Sequence, residues 1–396
     1  MQKLVLEFTK EDFSSYTLSP LLVKYMEEFL HLESLFSDNL SIKKRYSRFS
    51  IGKLSFLSVL LIMLGIERFS HISSKWVRET GLAKVIGIRS LPRKTTFADF
   101  FNSFSGYHTE QLKRVHKILI KEHREEWLPS HGPYFIDLDL STKSVEGKKI
   151  EKATLGYNKK RRGRLCLQWS RGLFCGIPFW SKLFSGNINS KQSLREDLRG
   201  LMQEITAYTP VNKADSIVIR LDGGYWSPEL LKGLDYPFLI HGPMLKELNL
   251  KALIKTSKTS SNWIPYSDTT SFVDIGRRDL NCGLSLRIIL VRQMERSQKP
   301  YSKNAKPKFI YYPIMTDLYH WSGKSIIKAY RGRQVIENHF KEGNQSFYAN
   351  KLPSGKLRAN EAFLWFVTFA YTISVFFKRS SFTNLLSRDE LQKLPC

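Results

Sequence analysis

The chain has 396 residues, 42% of them hydrophobic, and carries 62 Lys and Arg against 36 Asp and Glu, a formal charge of +26. That length allows a large core and two or three domains, and the charge favours a polyanionic partner: DNA, RNA or an anionic membrane surface. Cys166, Cys175, Cys282 and Cys396 are scattered with no CxxC pair, which argues against a structural zinc site and against a disulfide framework.

Met1 to Thr9 mixes Lys3 and Glu7 with short apolar residues and lacks the apolar core of a signal peptide. Residues 1–125 are predicted to be a mostly helical domain. Lys24 to Phe36, Ser50 to Ile66, Ser70 to Glu79 and Phe97 to Glu125 carry apolar residues at helical spacing. Leu91-Pro92-Arg93-Lys94-Thr95-Thr96 reads as a turn into a helix, with Thr95 or Thr96 as its N-cap.

The texture changes after Pro129-Ser130-His131-Gly132-Pro133. Tyr134 to Asp139 is an apolar strand ending in acid, Cys166 to Trp180 supplies one or two more strands, and Ser193 to Thr209 is a helix. Ser216 to Asp222 is a second apolar strand ending in acid, followed by Gly223-Gly224, a short helix over Ser227 to Leu234 and a strand over Tyr236 to Ile240. This alternation predicts an α/β sheet, its first part at residues 126–245. Residues 246–320 are less regular, with strands at Leu284 to Arg292 and Lys308 to Met315, and read as a β-rich insertion. Residues 321–396 return to helix, at Gly323 to Gly343 and at 357–379. Within the latter, Ala362 to Phe377 falls short of the ~20 residues a membrane-spanning helix needs, and Thr368, Thr372 and Ser374 interrupt it. It is predicted to be a buried core helix.

Tyr330, Arg333, Glu337 and Lys341 recur at helical spacing and are predicted to share one helix face. The face sets one carboxylate among a phenol, a guanidinium and an ammonium, a mixture suited to phosphodiester chemistry. Asp139 and Asp222 end two strands that can converge at one sheet edge, where a helix could bring Glu337. Three hard oxygen donors suit Mg²⁺, or Mn²⁺ in its place. Two such ions about 3.5–4 Å apart would activate a nucleophile and stabilise the leaving oxygen. The simpler alternatives stay open: an Asp at a strand end is often a cap or turn residue, and Glu337 could merely pair with Arg333 or Lys341. Asp137 lies on the same strand face as Asp139 and is the alternative first ligand. Lys159, Lys160, Arg161, Arg162 and Arg164 form a compact basic loop that can grip phosphates. Phe174, Phe179 and Trp180 could stack on a base, with core packing the simpler role.

These segments, in this order, resemble the DDE transposases of bacterial insertion sequences in the IS-four-like superfamily. They are most similar to its IS-thirteen-eighty-like group. The late segment resembles the Tyr-x2-Arg-x3-Glu motif of that superfamily. Asp137-Leu138-Asp139-Leu140-Ser141-Thr142 resembles the group's first acidic motif, with Leu140 set between the acid and Ser-Thr. Gly156-Tyr157-Asn158 with Gly163-Arg164 resembles its basic loop, and Arg220-Leu221-Asp222-Gly223-Gly224-Tyr225 its second acidic motif. Leu352-Pro353-Ser354 with Ala359-Asn360 resembles its segment after the glutamate, and Gly87 to Pro92 its N-terminal region. Asn344 stands where many relatives carry lysine.

The resemblance implies an RNase H-like catalytic core with a β-rich insertion, an N-terminal helical domain and C-terminal helices. It implies two Mg²⁺ ions on Asp139, Asp222 and Glu337, and DNA contacts from Tyr330, Arg333 and Lys341. The activity it implies is metal-dependent cleavage and strand transfer on double-stranded DNA, at transposon ends with terminal inverted repeats and at a target. A homodimer in the synaptic complex and a cytoplasmic, nucleoid-associated place in a bacterium, with no membrane partner, follow as expectations. A nuclease or resolvase without strand transfer, and an inactive end-binding repressor, are the alternatives.

Overall fold

In the computed structural model the chain divides into two compact units. One comprises Met1–Glu126, Val145–Ala153 and Lys341–Cys396, the other Trp127–Ser144 and Thr154–Phe340. The residues described are 16, 19–43, 48–147, 149–156, 158, 161–205, 216–256, 263–295 and 308–382.

The N-terminal helices are shorter than their apolar periodicity predicts. They are α1 (Ser19–Lys24), α2 (Leu32–Asn39), α3 (Ile51–Met63), α4 (Thr80–Val85), α5 (Lys94–Asn102), α6 (Gly106–Glu122) and α7 (Arg124–Trp127). His31 takes a left-handed backbone, φ 45°, and so separates α2 from the turn before it. The helix expected over Ser70 to Glu79 is replaced by two short turns, Phe69–His71 and Ile72–Trp76. The single helix expected from Phe97 splits at Ser103–Ser105, where the Ser105 N–H donates to His108 Nδ1 at 3.1 Å and starts α6 with a capping box. Arg93, rather than Thr95 or Thr96, is the N-cap of α5.

The second unit is built on one mixed sheet. Its strands are β1 (Tyr134–Ser144), β2 (Thr154–Leu155), β3 (Leu165–Phe174), β4 (Ile177–Ser185), β5 (Ile217–Leu221), β6 (Phe238–His241), β7 (Ile264–Ser267), β8 (Thr270–Asp279), β9 (Ser285–Met294) and β10 (Phe309–Thr316). Their order is β2-β3-β1-β5-β6-β10-β9-β8-β7, with β4 beside β3. β1 runs antiparallel to β3 and β3 to β4, whereas β1, β5 and β6 are mutually parallel. Every residue of β5 is buried, as a central strand covered on both faces requires. The strands of the 246–320 region are continuous with this sheet, because β10 pairs antiparallel with β6.

Helices α8 (Ser190–Ile205), α9 (Pro228–Lys232), α10 (Leu250–Thr256) and α11 (Gly323–Arg331) belong to this unit, as does α12 (Gln334–Gln345) as far as Phe340. A Cβ on Gly200 of α8 would lie 2.1 Å from the Trp180 ring, so the bare glycine lets helix and strand close up. There Trp180 Nε1 donates to Asp197 Oδ1 at 2.6 Å. Phe174, Phe179 and Trp180 are all buried, and Phe179 meets Trp127 with ring centroids 5.3 Å apart, so they serve the core. Ile326 and Ile327 of α11 pack with Val218, Leu239, Ile289 and Ile314 on the sheet.

The helix predicted over Gly323 to Gly343 is two helices, α11 and α12, broken at Gly332-Arg333. The cause lies on β5. Arg220 Nη1 donates to Ala329 O at 2.7 Å. In an unbroken helix that carbonyl would accept from the Arg333 N–H, which here donates to Tyr330 O at 3.0 Å. A Cβ on Gly332 would lie 2.3 Å from Arg220 Nη1, so glycine makes room for the intruding guanidinium.

The last helix, α13 (Leu357–Phe382), returns to the first unit. Phe369 meets Phe36 at 4.9 Å and Phe363 meets Phe101 at 5.9 Å between ring centroids. Thr372 Oγ1 lies 2.9 Å from His116 Nε2, which gives two polar groups in the core a partner. Among the described residues α13 is the helix long and apolar enough to cross a membrane, and 83% of its apolar window is buried.

Candidate active site

Asp137, Asp139 and Arg220 show how the strand sequence sets the site. β1 and β5 are parallel with Asp137 opposite Arg220. Carried two residues further, the register sets Asp139 level with Asp222, but only β5 stops there: the strand expected to end at Asp139 runs on to Ser144, because β1 stays paired with β3 that far. Asp137 is fully buried and receives Arg220 Nε at 2.7 Å and Nη2 at 2.5 Å, a bidentate ion pair. Its oxygens are committed to Arg220, so Asp137 braces the two strands, and Asp139 is the carboxylate left to meet Arg333.

Asp139 Oδ1 accepts from the Leu140 N–H at 2.8 Å. Asp222 follows β5 as the cap of a single turn, Gly223–Tyr225, and its Oδ1 accepts from the Gly224 N–H at 2.9 Å. Glu337 lies in the first turn of α12, with 55% of its side chain exposed. Arg333 joins all three. Its Nη2 is 3.2 Å from Asp139 Oδ2 and 4.0 Å from Asp222 Oδ2, and its Nη1 donates to Glu337 Oε1 at 2.8 Å. The helix break is what turns Arg333 inward, to 5% exposure.

Burial pushes the Asp139 carboxyl up to about 6 against the pull of Arg333, and Asp222 and Glu337 add to the rise. Burial opposes the charge on Arg333, but Asp139 and Asp222 outweigh it and hold the guanidinium more firmly protonated than usual. Tyr330 lies in the last turn of α11 with its hydroxyl 3.4 Å from Leu221 O, directly before Asp222. Burial raises its phenol, and Asp222 and Glu337 push the same way against Arg333. Tyr225 is fully buried and is raised by burial together with Asp139, Asp197 and Asp222.

Tyr330, Arg333 and Glu337 thus lie near Asp139 and Asp222, from two helices and the break between them rather than from one helix face. Lys341 is exposed on the stretch of α12 that belongs to the helical unit. Arg161, Arg162 and Arg164 are exposed between β2 and β3, and Lys159 and Lys160 lie outside the described residues. The loop is tied to the far end of β1: Asn158 Nδ2 donates to Ser144 Oγ at 2.8 Å and Asn158 Oδ1 accepts from the Arg161 N–H at 3.0 Å. Ser144 is roughly 17 Å beyond Asp139 at a strand's rise of about 3.4 Å per residue, so the described residues of the loop are not gathered to the acids.

Two residues at the site had no role in the sequence reading. Arg220 had a visible signal, a cation within an otherwise apolar strand, which demands a buried partner. His241 had none. It ends β6, next to β5 in register Leu221↔Ile240, and so stands beside Asp222. Burial lowers its pKa, while Asp222 pulls it up.

The chemistry of the donor set fits a divalent cation: three carboxylates, all hard oxygen donors. The arrangement is another matter. Among the described residues no three His, Cys, Asp or Glu side chains come together as a ready cage, and the Arg333 guanidinium spans the acids. As the side chains stand, they are closed upon a guanidinium.

Residues 285–394, less than a third of the chain, match the family described as Transposase DDE domain group 1. The match supports a DDE transposase and takes in Tyr330, Arg333, Glu337 and Lys341, but neither Asp139 nor Asp222. None of the curated proteins compared matches the sequence. A solved structure, the cryo-EM structure of the piggyBac transposase synaptic complex with hairpin DNA, aligns with 94% of this chain and 78% of that chain. The identity is 12% and the TM-score 0.43, too loose a likeness to transfer function.

Proposed function

We propose that the chain is a DNA transposase of the DDE type, most similar to those of bacterial insertion sequences, with Asp139, Asp222 and Glu337 as its catalytic acids. The observation that carries this reading is the level placement of Asp139 and Asp222 on adjacent parallel strands, joined through Arg333 to Glu337 within the segment that matches the transposase domain. The strand order β4-β3-β1-β5-β6 with its parallel second half supports an RNase H-like core. The helical residues 1–125 would help recognise terminal inverted repeats. Two Mg²⁺ ions, or Mn²⁺, held by the three acids would supply an activated oxygen nucleophile and charge for the leaving oxygen.

The chain's own residues do the rest. Arg333 would bind a phosphate oxygen at the scissile position, since a guanidinium fork matches phosphate geometry. Tyr330, anchored near Leu221 O, would orient the same backbone. Arg220 and Asp137 keep the strand ends and the helix break in place. Lys341 and the loop at Lys159, Lys160, Arg161, Arg162 and Arg164 would bind double-stranded DNA further out, at transposon ends or target, through counterion release. Pairing of two ends would call for a homodimer, and the protein would work at the bacterial nucleoid.

Asp222→Asn tests the assignment. The variant should lose Mg²⁺-dependent cleavage of element ends while retaining end binding in a gel-shift assay; normal cutting would remove Asp222 from the site. Joined products on a supercoiled target separate a transposase from a nuclease or resolvase. One observation favours a second reading, a catalytically inactive end-binding relative acting as a repressor: the acids are closed on Arg333. Salt-sensitive end binding with no metal-dependent cleavage by the wild-type chain would decide for it.

A further inference from the structure

Arg333 combines two features that a phosphate contact alone does not explain. Its guanidinium lies 2.8 Å from Glu337, 3.2 Å from Asp139 and 4.0 Å from Asp222, so one cation bridges all three acids and offsets part of their charge. It is also buried, and its Nε and Nη2 make no hydrogen bond. A buried donor without an acceptor is unfavourable, and ion-pair attraction to carboxylates does not supply the missing bonds. An oxyanion presenting several acceptor oxygens would. A divalent ion on the same carboxylates would have to take over the compensation that Arg333 supplies, because two cations held among three acids repel one another in a site of low dielectric.

We propose that Arg333 and a divalent cation compete for Asp139, Asp222 and Glu337, and that a DNA phosphate decides the competition by drawing the guanidinium off the carboxylates. The inference rests on the metal-site reading above and adds an order to it: DNA first, then tight metal. Arg333 is in this respect a positioning residue. It holds the acids together without metal and withholds the full site until a phosphate is present. Nonspecific loading of metal, and with it unguided cutting, is thereby limited.

Mn²⁺ binding to the full-length protein, followed by electron paramagnetic resonance, tests this without any turnover. Arg333→Gln should bind Mn²⁺ about tenfold more tightly than wild type when DNA is absent. Arg333→Lys, which keeps a charge but not the fork, should fall between them. For the wild type, a short DNA duplex should raise Mn²⁺ affinity by a larger factor than it does for Arg333→Gln. Should Arg333→Gln fail to fold, the wild type alone still decides: Mn²⁺ affinity unchanged by DNA overturns the proposal. Equal Mn²⁺ affinity in wild type and Arg333→Gln, with binding abolished by Asp139→Asn, overturns the competition and leaves the metal site intact. No Mn²⁺ binding to any chain, or binding unaffected by Asp139→Asn and Asp222→Asn, removes the metal site and the competition together.

Discussion

Asp137 and Asp139 are two residues apart on one strand and have opposite surroundings. Asp137 is sealed against Arg220, whereas Asp139 meets Arg333. Asp137→Asn would leave Arg220 buried without a counter-charge, which costs about 3–5 kcal/mol. The expected outcome is a markedly lower urea midpoint, with Asp137→Asn/Arg220→Met recovering much of it. Asp197 gives a separate, pH-dependent prediction. Burial beneath α8 raises its carboxyl from 3.8 to about 6, against hydrogen bonds from Ser170, Ser193 and Trp180. A raised acid holds its proton longer in the folded chain than in the unfolded one, so unfolding releases a proton within this window. Stability should therefore fall as pH rises from 3.8 to about 6, by up to about 3 kcal/mol. In Asp197→Asn that slope should flatten, measured as urea midpoints at a series of pH values.

The break between α11 and α12 shows what an element owes to distant sequence. Gly332→Ala would drive a methyl group into Arg220 and should cost about 1–3 kcal/mol. Loss of the Ala329 carbonyl contact would also free Arg333 from its inward position, so DNA-end affinity should drop with stability; end affinity unchanged at reduced stability would uncouple the two. The helical character of residues 323–343 was legible, because Tyr330, Arg333, Glu337 and Lys341 recur at helical spacing. The break was not, because its cause is a guanidinium on β5, far away along the chain. Asp222 was legible as a candidate for a local reason, since it stops the apolar run of β5, whereas the strand end expected at Asp139 is absent because β1 continues to Ser144. The role of Arg333 as the hub of the acids was out of reach, since helical spacing names neighbours on a helix and says nothing of what faces it. The helices at Lys24 to Phe36 and Phe97 to Glu125 were overdrawn for a similar reason: continuous periodicity conceals a left-handed residue or a serine cap.

At the scale of the molecule the charge of +26 predicts a steep loss of DNA affinity with salt. Arg161, Arg162 and Arg164 are exposed on a loop remote from the acids, so their removal should weaken binding without altering the site. Replacing all three by alanine should reduce the slope of log affinity against log salt by about 2–3, while the position of any cut stays the same. An unchanged slope would place the phosphate contacts elsewhere.

The pairing of β10 with β6 carries a consequence for any attempt to pare the protein down. Without β7 to β10, β6 would end the sheet, and its unpaired amides and carbonyls would offer a template for a foreign strand. In the intact chain the open borders are blunted instead: β7 has only four residues and contains Pro265, and β4 contains Pro178. The strands beyond β6 therefore act as a guard against self-association. A shortened protein that lacks them should precipitate on purification even though all three acids remain.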